Sequence, residues 1–228
     1  MPEPPAGRWW EVWRRWTVAT TLGEFAAFSV PGVAGALAWG LGFPAAGLFG
    51  VMIAAGTAEG VVLGSAQWLA LRGCLRGLRW RDWAWATALG GGAAWTLAMV
   101  PGAFWDQLDG VHPAVPLVAL APAGAGVLFS IGLAQWLVLR RFVERAGWWV
   151  PANAAAWSIG VTLVIAAMSP TNEDTPVAVA AAVSVTAELA MGVVVAGITG
   201  AALVWLLREG ERGVEAAART AGAAGRAG

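Results

Sequence analysis

Lysine and tyrosine are missing from this chain, histidine and cysteine occur once each, and charged residues fill only 12% of 228 positions. Each shortage excludes chemistry. Without lysine there is no amine for a retinal or pyridoxal Schiff base. His112 alone cannot build a bis-histidine haem or a multi-histidine zinc site within one chain. Cys74 alone excludes an intrachain disulfide and any CxxC motif. No nucleophile–base pair stands in the apolar stretches, so no catalytic, metal-binding or cofactor-binding residue is assigned and no cofactor is expected.

What remains is apolar. Hydrophobic residues make up 58% of the chain, whereas soluble domains carry about 25% charged residues. Six apolar segments stand out, roughly 17–41, 45–70, 83–104, 116–139, 149–168 and 177–206. Each has about the 20 residues that cross about 30 Å of hydrocarbon at about 1.5 Å per residue. A lone segment in lipid must satisfy its own backbone, so these are expected as helices. The first is too long for a secretory signal and lacks a cleavage-like end.

The fourteen basic residues are all arginine. In a six-span reading every one falls before segment one, between two and three, between four and five, or after six. The opposite loops hold Asp106, Asp109, Glu173 and Asp174 instead. An excess of arginine marks the cytoplasmic side, so both termini are expected in the cytoplasm of a bacterium, with the chain in its plasma membrane. The partners expected are the lipid bilayer and either another membrane protein or a second copy of this chain; nucleic acid is not expected.

One nonapeptide is nearly duplicated: GSAQWLALR at 64–72 and GLAQWLVLR at 132–140. A third version, GAALVWLLR at 200–208, keeps the glycine and the arginine but has Leu203 and Val204 where the others have Gln and Trp. Upstream, Trp16-Thr-Val-Ala-Thr20 matches Trp83-Ala-Trp-Ala-Thr87 and, more faintly, Trp149-Val-Pro-Ala-Asn153. The pattern reads as three tandem two-helix units near 10–72, 78–140 and 144–208. Each unit crosses twice, so all would point the same way about an axis along the membrane normal. The expected fold is an all-α transmembrane six-helix bundle with pseudo-threefold symmetry.

Within the motif, Arg72, Arg140 and Arg208 would snorkel to lipid phosphates, and Trp68 and Trp136, one turn deeper, would sit at headgroup level with their N–H groups wet. Gly56, Gly60 and Gly64 form a small-residue ladder, as do Gly192, Ala196 and Gly200, with Gly132 in the second copy. Such ladders mark helix contacts. Gln67 and Gln135 need partners on neighbouring helices, with Thr20, Thr87 or a backbone carbonyl as candidates. They serve either as glue between repeats or as the lining of a solute path.

Three carboxylates interrupt the spans. Glu24 lies about 12 Å beyond Trp16, Glu59 about 20 Å from Arg72, and Glu188 about 30 Å from Arg208. Ionisable groups at such depths are costly and are functional candidates. In an outer loop, Asp106, Asp109 and His112 stand three apart, but the Gly-Val-His-Pro run breaks the helix that would gather them. Residues 1–15, with Trp9, Trp13 and Trp16 on one helical face, are expected as a separate interfacial segment. The transmembrane domain spans 16–208, and the Ala/Gly-rich tail from 209 to 228 is expected to be a short helix or disordered.

The runs GLAQWLVLRRFVERAGWW and ITGAALVWLLR resemble elements of uncharacterised multi-pass bacterial membrane proteins. The resemblance implies the topology and no activity. Two functional readings therefore stay open: a non-enzymatic helix-packing or partner-binding module, and a small-solute, proton or cation transporter or channel using the intramembrane carboxylates. An intramembrane enzyme is disfavoured by the missing nucleophile–base pair.

Overall fold

The computed structural model describes residues 7–99, 114–172 and 174–227. Among them every regular element is a helix. The helices are α1 (Arg8–Gly40), α2 (Ala45–Leu71), α3 (Trp80–Ala98), α4 (Ala114–Leu139), α5 (Trp149–Met168) and α6 (Val177–Ala227), with a short 3₁₀ turn, Ala146–Trp148, leading into α5. Each helix packs against its neighbours in sequence, and α6 returns to pack on α1, closing a ring.

Register pairs show that neighbouring helices run antiparallel. Gly60 lies against Ala88 and Gly64 against Ala84; Gly90 lies against Ile131, Gly132 against Asn153, and Gly160 against Met191. On the closing seam, Trp13 bonds to Gly197 while Thr21 bonds to Gly192. The start of α1, the 72–79 and 140–148 connections and the stretch of α6 around Arg208 therefore meet at one end of the ring. Ion pairs tie that end together: Arg8 to Glu211 at 2.7 Å and Arg145 to Glu209 at 3.2 Å. Arginine separation in the sequence thus becomes a single arginine-bearing face in space.

Among the described residues five stretches are long and apolar enough to cross a membrane: Arg8–Gly40, Ala45–Leu71, Leu120–Leu139, Ala146–Met168 and Val177–Gly213. Helix α3 falls short of that measure. Its 19 residues include Trp80, Trp83, Trp85 and Trp95, the charged Arg81 and Asp82, and three consecutive glycines, none of them strongly apolar.

The start of the chain differs from expectation. Residues 8–15 are not a separate segment; they are the first turns of α1, continuous through Gly40. Their tryptophan face turns to α6, where Trp13 donates its N–H to the Gly197 carbonyl and Trp16 is fully buried. The reason is that α6 supplies glycines at 197 and 200 where the indoles need room. Of the two alternatives for the tail from 209, the helix is the one found: it continues α6 to Ala227. Alanine is the best helix former, and Arg212 pairs with Glu209 one turn back at 2.7 Å.

Candidate functional site

The core sits at the arginine end. Trp16 of α1, Trp83 of α3 and Trp149 of α5 are each fully buried and meet edge-on, with ring centroids 5.6 to 6.5 Å apart. Leu71, Leu139, Leu203 and Leu206 pack around them. Edge-to-face contact places the positive ring edge against a negative face. It also leaves each indole N–H pointing outward from the centre, in need of an acceptor.

The even helices supply those acceptors. Trp83 donates to Gln67 Oε1 at 3.1 Å and Trp149 to Gln135 Oε1 at 3.0 Å. Gln135 Nε2 donates onward to Gln67 Oε1 at 2.8 Å and to Thr87 Oγ1 at 3.0 Å. Thr87 in turn donates to the Trp83 carbonyl. Sequence reasoning had named Thr87 as a candidate partner but not the glutamine–glutamine bond or the two indoles.

Where α6 has Leu203 in place of glutamine, Trp16 finds a different acceptor, Thr199 Oγ1 at 3.0 Å. Thr199 is one turn deeper on the same face and was not foreseen. The usable signal was there: a buried tryptophan opposite an apolar residue needs a hydroxyl within a turn. Beside this layer Thr17 Oγ1, and one turn deeper Thr20 Oγ1 and Asn153 Oδ1, are buried with no hydrogen-bond partner among the described residues.

Eight residues beyond Trp16 on α1, and eight back from Gln67 on α2, stand Glu24 and Glu59. Measured from the tryptophan–amide layer, both lie about 12 Å in, not at the separate depths suggested by counting from flanking residues. Glu24 is 2% exposed and Glu59 8%, and they are close enough for their charges to interact. Glu59 Oε2 accepts the Trp95 N–H at 2.5 Å. Glu24 packs its methylenes on Gly192, and neither of its oxygens has a partner among the described residues. Glu188 is elsewhere on α6, half-buried and bonded to Ser184 at 3.0 Å.

The glycine ladder of α2 lies on the α3 seam. A methyl at Gly60 would fall 2.6 Å from the Ala88 Cα and one at Gly64 2.9 Å from the Ala84 Cα; one at Gly56 would overlap the Trp95 ring. Close backbone approach of this kind requires glycine. Gly200 seats Trp16, Gly192 seats Glu24, and Gly132 seats Asn153. The run Gly90-Gly91-Gly92, which spacing did not single out, opens α3 to α4 on one side and to α2 on the other.

At the arginine end, Arg72 stacks over Trp68 at 5.4 Å and Arg140 over Trp136 at 5.0 Å. Arg208, with Val204 at the four-residue spacing where the other copies have tryptophan, stacks over Trp9 of α1 at 5.3 Å. The Trp68 N–H is not left to water but donates to the Leu78 carbonyl at 3.0 Å. Three described groups outside the apolar segments have displaced pKa values, and the first is Glu11, which the hydrogen bond from Arg15 holds below its usual range. The hydrogen bond from Arg79 holds the Asp82 carboxyl below its usual range, and burial pushes the Cys74 thiol up against the pull of Arg8 and Arg15. Asp106, Asp109, His112 and Glu173 lie outside the described residues. Among the described residues no three His, Cys, Asp or Glu side chains gather as a metal site.

Comparison with known proteins finds no matching family model, no matching curated protein and no matching solved structure.

Proposed function

We propose that the chain is a bacterial plasma-membrane protein of six spanning helices, built from three two-helix repeats in a pseudo-threefold ring. Its arginine face and both termini lie in the cytoplasm, and it works as a non-enzymatic helix-packing or partner-binding module. Chain parity supports counting α3 as a span. The chain leaves α2 at the arginine end and returns to that end at the close of α4, so α3 must carry it across. Trp85 and Leu89, both exposed, give α3 an outward apolar face. The threefold reading rests on Trp16, Trp83 and Trp149, each donating to the even helix beside it, at intervals of 67 and 66 residues.

The observation that carries the module reading is the interlocked tryptophan–amide core. Three buried indoles fill the ring interior at the arginine end and are fixed by hydrogen bonds, which favours a packed assembly over an open channel. The second reading, a proton or cation transporter, draws on Glu24 alone. Two measurements test the proposal. In a Cys74→Ala background, Gly147→Cys should react with an impermeant maleimide only from the cytoplasmic side and Gly42→Cys only from outside; the reverse pattern would overturn the orientation. Purified protein in liposomes should show no ion or solute flux above protein-free vesicles, and steady flux would replace the module reading with transport.

A further inference from the structure

The positive charge that Glu24 lacks cannot come from the described part of the chain. Within the ring, α2 carries no charge but Glu59, and α4 and α5 carry none at all. The charges of α3, Arg81 and Asp82, sit in its first turn at the arginine end, and the nearest charge on α6 is Glu188, one turn from Gly192 and bonded to Ser184. The remaining charges of α1 precede Trp16. From every element packed around it, then, Glu24 faces only carboxyl groups or none. Arginines are plentiful, but all described ones stand beyond the tryptophan layer.

Nearby oxygens are also idle. Thr20 lies one turn before Glu24 on α1, and Asn153 lies four residues past Trp149 as Thr20 lies four past Trp16. Because Trp16 and Trp149 touch, with centroids 5.6 Å apart, Thr20 and Asn153 share one level of the interior. Both are at least 97% buried, and Thr20 Oγ1 and Asn153 Oδ1 have no partner among the described residues. Buried polar groups are normally paired, and a buried carboxylate without a counter-charge is the costliest kind of exception.

We infer that Glu24, with Glu59 beside it and Thr20 and Asn153 one turn nearer the tryptophans, forms a binding site for one monovalent cation, a proton or an alkali ion. The donors are all hard oxygens, which suit such ions and not soft metals. One of the two carboxyls is already engaged by Trp95, leaving about one charge to neutralise. Divalent ions fit poorly: calcium takes about six to eight oxygens and magnesium keeps several waters, whereas this interior is closely packed. The inference goes beyond the module reading and does not depend on which side of the membrane the arginines face.

The test uses the full chain in nanodiscs of neutral lipid. Infrared spectra record the protonated-carboxyl band across a pH series, and melting is followed in sodium, potassium and choline chloride. If the occupant is a proton, a protonated-carboxyl band persists at neutral pH, ignores the alkali salts, and disappears in Glu24→Gln. If it is an alkali ion, sodium or potassium but not choline raises the melting temperature; Glu24→Gln abolishes that rise and Thr20→Val weakens apparent affinity about tenfold. Glu188→Gln should change neither readout. A wild-type protein with no such band at neutral pH and no alkali-specific rise overturns the inference, and that comparison needs no variant to fold.

Discussion

Two polar layers cross the interior of this ring, and they treat their polar atoms in opposite ways. In the amide layer, Gln67, Gln135, Thr87 and two indoles form a connected network across α2, α3, α4 and α5. Two turns deeper, Glu24 is just as buried and bonds to nothing described. The unpartnered atoms among the described residues are grouped, not scattered: Thr17, Thr20 and Glu24 stand on α1 and Asn153 on α5, the two helices that pack on α6. That is the helix where leucine replaced glutamine. A satisfied buried network rigidifies a fold, while an unsatisfied one is retained only against a cost. The first layer therefore reads as structure and the second as a place held open for a ligand.

The comparison breaks first at Gln135. Gln135→Leu copies the residue of α6 into α4, strands the Trp149 N–H, and removes one of the two donors to Gln67 Oε1 and the donor to Thr87 Oγ1. Unfolding in detergent should show a loss of about 2–4 kcal/mol, since each stranded group costs about 1–3 kcal/mol and membrane hydrogen bonds fall at the low end. Next comes the seam that positions Gln67. Gly60→Leu drives a side chain into the α3 backbone at Ala88 and should cost about 1–3 kcal/mol in the same assay.

Smaller effects sharpen the contrast from the other side. Leu203→Gln would give Asn153 and Gln135 a third amide partner and should change stability by less than about 1 kcal/mol, lost apolar burial offsetting new bonds. A loss as large as that of Gln135→Leu would show that the α6 side has no room for the network. Glu24→Gln keeps the shape while removing the charge, so melting at neutral pH should stay within about 1 kcal/mol of wild type. The smallest change belongs to Asp82, on the surface. Arg79 lowers its folded pKa below the usual 3.8, so its contribution is complete above that value and fades as pH falls through the folded pKa. Asp82→Asn should leave neutral melting nearly unchanged and make the acid side of a pH–melting profile slightly flatter.

Much of this arrangement was legible from residue spacing, and the parts that were not share a cause. The ladder Gly56-Gly60-Gly64 announced a helix seam because close approach leaves few residue choices. The repeated glutamine announced a buried bond because an amide at that depth must have one. Tryptophan was harder. At a membrane edge it suits both headgroups and protein cores, so Trp16, Trp83 and Trp149 could be aligned with one another without revealing that they meet. The same ambiguity hid the packing of Trp9 and Trp13 on α6. Thr199 escaped because it compensates from a different register, and Glu24 and Glu59 were placed at different depths because they were counted from residues that do not share a level, Trp16 in the tryptophan layer and Arg72 beyond Gln67.

The contact between Arg8 and Glu211 holds the first turn of α1 beside the stretch of α6 just past Arg208. With α6 returning to α1, the ring has no privileged starting point. A gene rearranged to begin at α3, with a linker joining the arginine end of α6 to the start of α1 and the chain opened in the 72–79 connection, would encode the same circle of hairpins. Such a permuted protein would separate what the order of synthesis contributes to insertion from what the finished packing alone can hold.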